Sequence, residues 1–166
     1  MVGAGRDDGL MGQEAHMELL APAGGLEQLE AALAAGADAV YLGLTSLNAR
    51  RGASNFSPDA LSGAVAAAHG KNARVYLTLN IDISEREIGQ AARALAIARD
   101  AGVDAVLVRD PALLLLRQHF PMLAFHLSTQ GCASCSLDET MSKELGIARV
   151  VLASEMTLGE ISAAAK

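Results

Sequence analysis

Arg74-Val75-Tyr76-Leu77-Thr78-Leu79-Asn80 is the stretch on which the fold turns. It is rich in β-formers, and successive side chains of a strand point to opposite faces. Tyr76, Thr78 and Asn80 therefore share one face, and Val75, Leu77 and Leu79 share the other. Phe125-His126-Leu127-Ser128-Thr129-Gln130 repeats the pattern. There His126, Ser128 and Gln130 oppose Phe125 and Leu127. An open doubly wound sheet buries both strand faces under apolar helices. A (β/α)8 barrel encloses one face and carries polar side chains on it toward the C-terminal strand ends. The accumulation of polar groups on one face favours the barrel.

Outward from these two stretches, apolar runs alternate with Ala-rich segments. The runs Glu18–Ala21, Ala39–Leu42, Arg74–Leu79, Ala105–Val108, Ala124–Leu127 and Arg149–Leu152 read as parallel strands. Helices are predicted near 25–35, 58–69, 84–101, 111–119, 137–145 and 158–166. Ser57-Pro58-Asp59 and Asp110-Pro111 place a cap oxygen before an N1 proline. Ser84 with Glu87, Ser136 with Glu139 and Thr157 with Glu160 fit capping boxes. Gly36, Gly70, Gly102 and Gly146 stand where a left-handed residue ends a helix, and Pro121 follows the fourth helix. Ala35-Gly36-Ala37-Asp38-Ala39-Val40 recurs as Ala101-Gly102-Val103-Asp104-Ala105-Val106. Leu145-Gly146-Ile147-Ala148-Arg149-Val150 is a looser copy. Each is a helix end, a Gly turn and a strand start, one joint built several times. The expected fold is thus α/β: a parallel β/α repeat, six units of an incomplete TIM-type (β/α)8 barrel with right-handed crossovers.

The 166 residues are 51% hydrophobic and 19% charged, with Phe 3, Tyr 2 and Trp 0. The core must be built from Ala, Val, Leu and Ile. A disordered chain is excluded by the apolar content, and a membrane span by the lack of any run near about 18 apolar residues. Residues 1–16 read as a disordered leader, without the charged and apolar regions of a signal peptide. Residues 17–166 form the domain. A complete barrel takes about 250 residues, so this one is expected to be unfinished, its first and last strands open to a homodimer mate or a partner subunit. The net charge of −6 argues against a domain built chiefly to grip phosphate backbones. Together with the missing signal peptide, it fits a cytoplasmic protein. Cys132 and Cys135 form a lone CxxC, half of the four ligands that a zinc or iron–sulfur site wants. Ordinary small residues, a metal site and a redox pair all remain open for it, and no metal ligands are assigned. Leu113–Leu116 reads as core or interface.

The strand ends converge on one mouth in β/α folds. Candidate substrate contacts are Asn80, Arg109, Ser128 and Gln130 at strand ends, with Arg50 and Asn55 in the second loop. A strand-end Arg109 suits bidentate capture of a carboxylate or phosphate, or an ion pair with Asp110 or Glu155. Glu155 and His126 are the candidates for acid–base work. His126 and Ser128 sit about 7 Å apart along a strand, too far for a direct nucleophile–base bond. The Pro22-Ala23-Gly24-Gly25 turn reads as an ordinary βα turn.

These residues resemble the collagenase-like peptidase U32 family. The resemblance lies in Glu18-Leu19-Leu20-Ala21-Pro22-Ala23-Gly24 and Gly36-Ala37-Asp38-Ala39-Val40-Tyr41-Leu42-Gly43. It continues through Arg50, Ala53, Asn55, Phe56 and Ser57, Val75–Asn80, Arg109-Asp110 and His126–Gln130. Val151–Glu155, Leu158, Glu160 and Ile161 close it. The resemblance implies a TIM-barrel-like catalytic domain and peptide-bond hydrolysis, collagenolytic in some members. Other members hydroxylate tRNA, ribosomal RNA or a ubiquinone precursor without oxygen, associated with a four-iron four-sulfur cluster. A third reading is a non-catalytic half-barrel completed by a partner chain. The family's cysteines come mostly in a block after the sixth unit, which is not among these 166 residues. Gly131–Cys135 departs from the family's Asn-rich stretch, so its CxxC is not equated with cluster ligands.

Overall fold

The computed structural model describes residues 17–45, 55–131 and 133–164, and the backbone alone of 136–139. The leader 1–16, Arg50, Cys132 and the Ser136–Glu139 capping box lie outside what is described.

Six strands form one parallel sheet in sequence order: β1 (Leu20–Pro22), β2 (Ala39–Gly43), β3 (Arg74–Leu79), β4 (Ala105–Val108), β5 (Ala124–Leu127) and β6 (Arg149–Val150). Between and after them run α1 (Leu26–Ala34), α2 (Pro58–His69), α3 (Ile88–Ala101), α4 (Pro111–Leu116), α5 (Ser136–Glu144) and α6 (Leu158–Ala164). Short 3-10 turns precede α3 and follow α4. Consecutive strands pair and none is skipped, so the sheet curls into a half-barrel. The strand expected at Glu18–Ala21 begins two residues later. β6 is shorter than expected, although Val151 N still donates to Leu127 O at 2.9 Å.

Two apolar clusters divide the molecule. The larger lies between the sheet and the helices: Val40, Leu42, Val75, Leu77, Val106 and Phe125 meet Leu29, Leu61, Leu95 and Leu113. The smaller lies inside the curl: Ala39, Tyr76, Ala105 and Leu107, with Tyr41 and Ala124 against them. Helices cover the outer face only, as the alternation in β3 and β5 requires. The Leu113–Leu116 run belongs to the first cluster, apart from Leu115, which is exposed.

The repeated joint has a physical content. Ala37 N donates to Ala32 O, Ala73 to Ala68, Val103 to Ala98 and Ile147 to Ser142, so four helices end in the same six-to-one bond. Gly36, Gly102 and Gly146 take the left-handed conformation there, as expected. Gly70 does not. Its φ is −63° and it continues the helix, while Asn72 takes the left-handed position at φ 58°. Asn tolerates that conformation because its short polar side chain bonds locally. The aspartates of the joint hold the neighbouring strand. Asp38 Oδ2 accepts from Leu19 N at 2.8 Å, and Asp104 Oδ2 accepts from Val75 N at 2.7 Å.

Candidate functional site at the mouth of the curl

The inward face carries two layers. The upper one surrounds a cavity of about 290 Å³ at the C-terminal strand ends. Leu20, Tyr41, Thr78, Asn80, Leu107, Ser128, Thr129, Gln130 and Val151 line it. Strand alternation delivers Thr78 and Asn80 from β3 and Ser128 from the end of β5. Thr78 Oγ1 donates to Leu42 O at 3.0 Å. Ser128 is buried, and its Oγ accepts weakly from Gln130 N at 3.4 Å.

Arg109 stands at the rim. Its Nε pairs with Asp82 Oδ1 at 3.0 Å, and its Nη1 donates to Gln130 Oε1 at 3.4 Å. One guanidinium thus links the loops after β3, β4 and β5. The partner is neither Asp110 nor Glu155. Asp110 caps α4 through Ala112 N at 2.7 Å and takes Ile83 N at 2.6 Å. Asn55 holds the second loop against the first turn: its N donates to Gly24 O at 2.8 Å, and its φ is 51°. Glu155 is exposed in the turn after β6, outside the cavity lining.

The lower layer was not apparent in the sequence. Tyr76 OH donates to Glu18 Oε2 at 2.8 Å. Arg149 Nη1 donates to Glu18 Oε1, and its Nη2 lies 3.5 Å from Glu18 Oε2. Arg74 adds a contact at 3.4 Å. Glu18 precedes the first strand and Arg149 opens the last, so this pair spans the inside of the curl. The space for it comes from small neighbours. Ala39, Ala105 and Ala124 open β2, β4 and β5 on this side, and the third copy of the joint puts Arg149 where the first two have alanine. That substitution within the repeat was the one available signal.

Electrostatics follow from the contacts. Hydrogen bonding from Arg149 outweighs burial and holds the Glu18 carboxyl below its ordinary value. Burial, then the bond to Glu18, pushes the Tyr76 phenol up. His126 is buried edge-on to Tyr76, ring centres 4.9 Å apart. Burial first and Arg149 second lower its pKa to about 4. It is neutral at pH 7 and cannot serve there as a charged acid. His126 and Ser128 share the inward face as expected, with no bond between them.

A family model described as peptidase family U32 matches residues 24–166. The chain belongs to family U32. Among its relatives in the family, a tRNA hydroxylation protein P of Escherichia coli (strain K12) is 34% identical over 145 residues. That match covers 87% of this chain and 32% of the relative. An uncharacterized protease, MJ0090, of Methanocaldococcus jannaschii is 37% identical over 145 residues, covering 87% and 35%. The U32 chain therefore spans about a third of the length of these relatives. The solved structure of the U32 peptidase Mk0906 superposes with a TM-score of 0.74 at 16% identity, over 90% of this chain and 64% of that one. It shares the U32 fold of curled parallel strands and alternating helices.

The cluster implied by some U32 members does not fit the described residues. Cys135 is exposed, and no group of three or more His, Cys, Asp or Glu is placed to hold a metal among them. Among the described residues, no helix is long and apolar enough to cross a membrane.

Proposed function

We propose that this chain is the substrate-holding N-terminal part of a U32 enzyme that hydroxylates a base of RNA. The observation that carries the reading is the cavity. Its polar lining is uncharged amide and hydroxyl, set among Leu20, Leu107 and Val151. Such a lining suits a flat, neutral, hydrogen-bonding ring. It offers no nucleophile bonded to a base, as acyl transfer to Ser128 would want. The relative named for tRNA hydroxylation supports the same reading. In it Asn80, Ser128 and Gln130 contact the base, while Arg109, Asn55 and Arg50 meet the flanking chain, Arg109 exchanging Asp82 for a phosphate. His126 and Glu155 keep their proposed acid–base roles. A cytoplasmic location suits an RNA substrate.

Peptide hydrolysis is the competing reading, and the names of MJ0090 and Mk0906 support it. The free edges of β1 and β6 support a further element of the proposal. Among the described residues each pairs on one side only, so further strands of the protein, a second copy or a partner subunit would add there.

Removal of the gene separates the readings. The expected result is loss of one hydroxylated nucleoside from digested tRNA or ribosomal RNA, restored by the full-length protein. Unchanged RNA nucleosides, with gene-dependent cleavage of gelatin or peptides, would overturn the proposal. Substitution of Glu155 and of His126 by Gln should each abolish turnover; turnover unchanged in both removes the acid–base assignment.

A further inference from the structure

Three polar side chains of the lower layer satisfy one another, and a fourth is left over. Glu18, Tyr76 and Arg149 are joined by hydrogen bonds. His126, paired in register with Arg149, is only 7% exposed. Its ring packs against Tyr76, and among the described residues nothing hydrogen-bonds to it. Its register partner Leu107 and its same-face neighbour Ser128 both line the cavity. The ring therefore forms the layer beneath that cavity. A buried polar group without a partner is costly, and such groups persist where a ligand or a function uses them.

We propose that Glu18, Tyr76 and Arg149 are positioning residues that hold His126 as a hydrogen-bond acceptor for an uncharged ligand N–H or O–H reaching the cavity floor. This deepens the reading above, because it uses the same cavity. The charged groups facing the ring are Arg149 from β6, Arg74 from β3 and Glu18 from before β1; Tyr76 faces it from β3. Burial and the two guanidiniums oppose an imidazolium, and Glu18 favours one. One ring nitrogen consequently keeps its lone pair at neutral pH. A cationic ligand would meet the guanidiniums of Arg149 and Arg74, and an anionic one would meet the Glu18 carboxylate that already pairs with them. A neutral donor is the class that remains.

The test is a histidine ring-nitrogen NMR titration of the full chain, which has four histidines. The signal lost in His126→Gln identifies the residue. The expected midpoint is about 4 in the native protein, and Arg149→Met should raise it. Adding uridine should move the acceptor-nitrogen signal at pH 7. An acetylated dipeptide amide serves as the second probe. Movement by the amide and not by uridine supports the acceptor and overturns the RNA reading. A native midpoint near 6.5, or no movement with either probe at millimolar concentration, overturns the inference, and both results are read on the native protein. In a folded Arg149→Met protein, an unchanged midpoint overturns the positioning role.

Discussion

The two layers inside the curl put polar groups to different uses. The lower layer pairs them. Glu18 takes hydrogen bonds from Tyr76 and Arg149, and the result ties the start of the first strand to the start of the last. The upper layer leaves Asn80, Ser128 and Gln130 around a cavity. Both layers lie on the same inward face, two residues apart along each strand. Side chains packed on one another make one a structural strut, and side chains set around a cavity make the other a place to bind. His126 lies at the boundary, buried like the first and next to the cavity of the second.

The largest expected effect tests the strut. Arg149→Met takes from the Glu18 carboxylate its main partner, leaving it Tyr76 and Arg74, and should cost about 2–3 kcal/mol, below the range for a fully buried pair because Arg149 is half-exposed. Urea unfolding measures it. Acid comes next. The folded pKa of His126 is depressed, so the unfolded chain binds the extra proton, and stability falls as pH drops from 6.5 toward 4. Near pH 5 the loss from this residue is about 2 kcal/mol. Glu18, also depressed, adds loss in the same direction below its ordinary range. His126→Gln should flatten the upper part of that slope. Tyr76→Phe removes one hydrogen bond to a charged group and should cost about 1.5 kcal/mol. Smallest of all, Asn80→Ala and Ser128→Ala should each cost about 1 kcal/mol of stability or less, a single hydrogen bond's worth, while impairing turnover. A large stability loss at Asn80 would erase the distinction between the layers.

The upper layer was legible because strand period alone places it. Tyr76, Thr78 and Asn80 had to share a face, as did His126, Ser128 and Gln130. The apolar runs placed β3, β4 and β5 at the observed residues. Local chemistry placed the helix ends, with one error. Gly70 looked like the left-handed residue, but the left-handed site fell two residues later on Asn72. Glycine permits that conformation without requiring it. The one local hint of the strut was Arg149 in place of the repeat's alanine, with no hint of its partner. Tyr76 and Glu18 are 58 residues apart, and Arg149 and Glu18 are 131 apart. Such pairs exist only once the sheet has curled. Glu155 shows the converse: a strand-end position in sequence that falls in an exposed turn, because β6 stops at Val150.

In the curled sheet the first and last strands face each other through Glu18 and Arg149. A double-mutant cycle with Glu18→Gln and Arg149→Met tests it most directly. The expected coupling is about 1 kcal/mol or more, within the range for contacting residues. Additive effects of the two substitutions would contradict it.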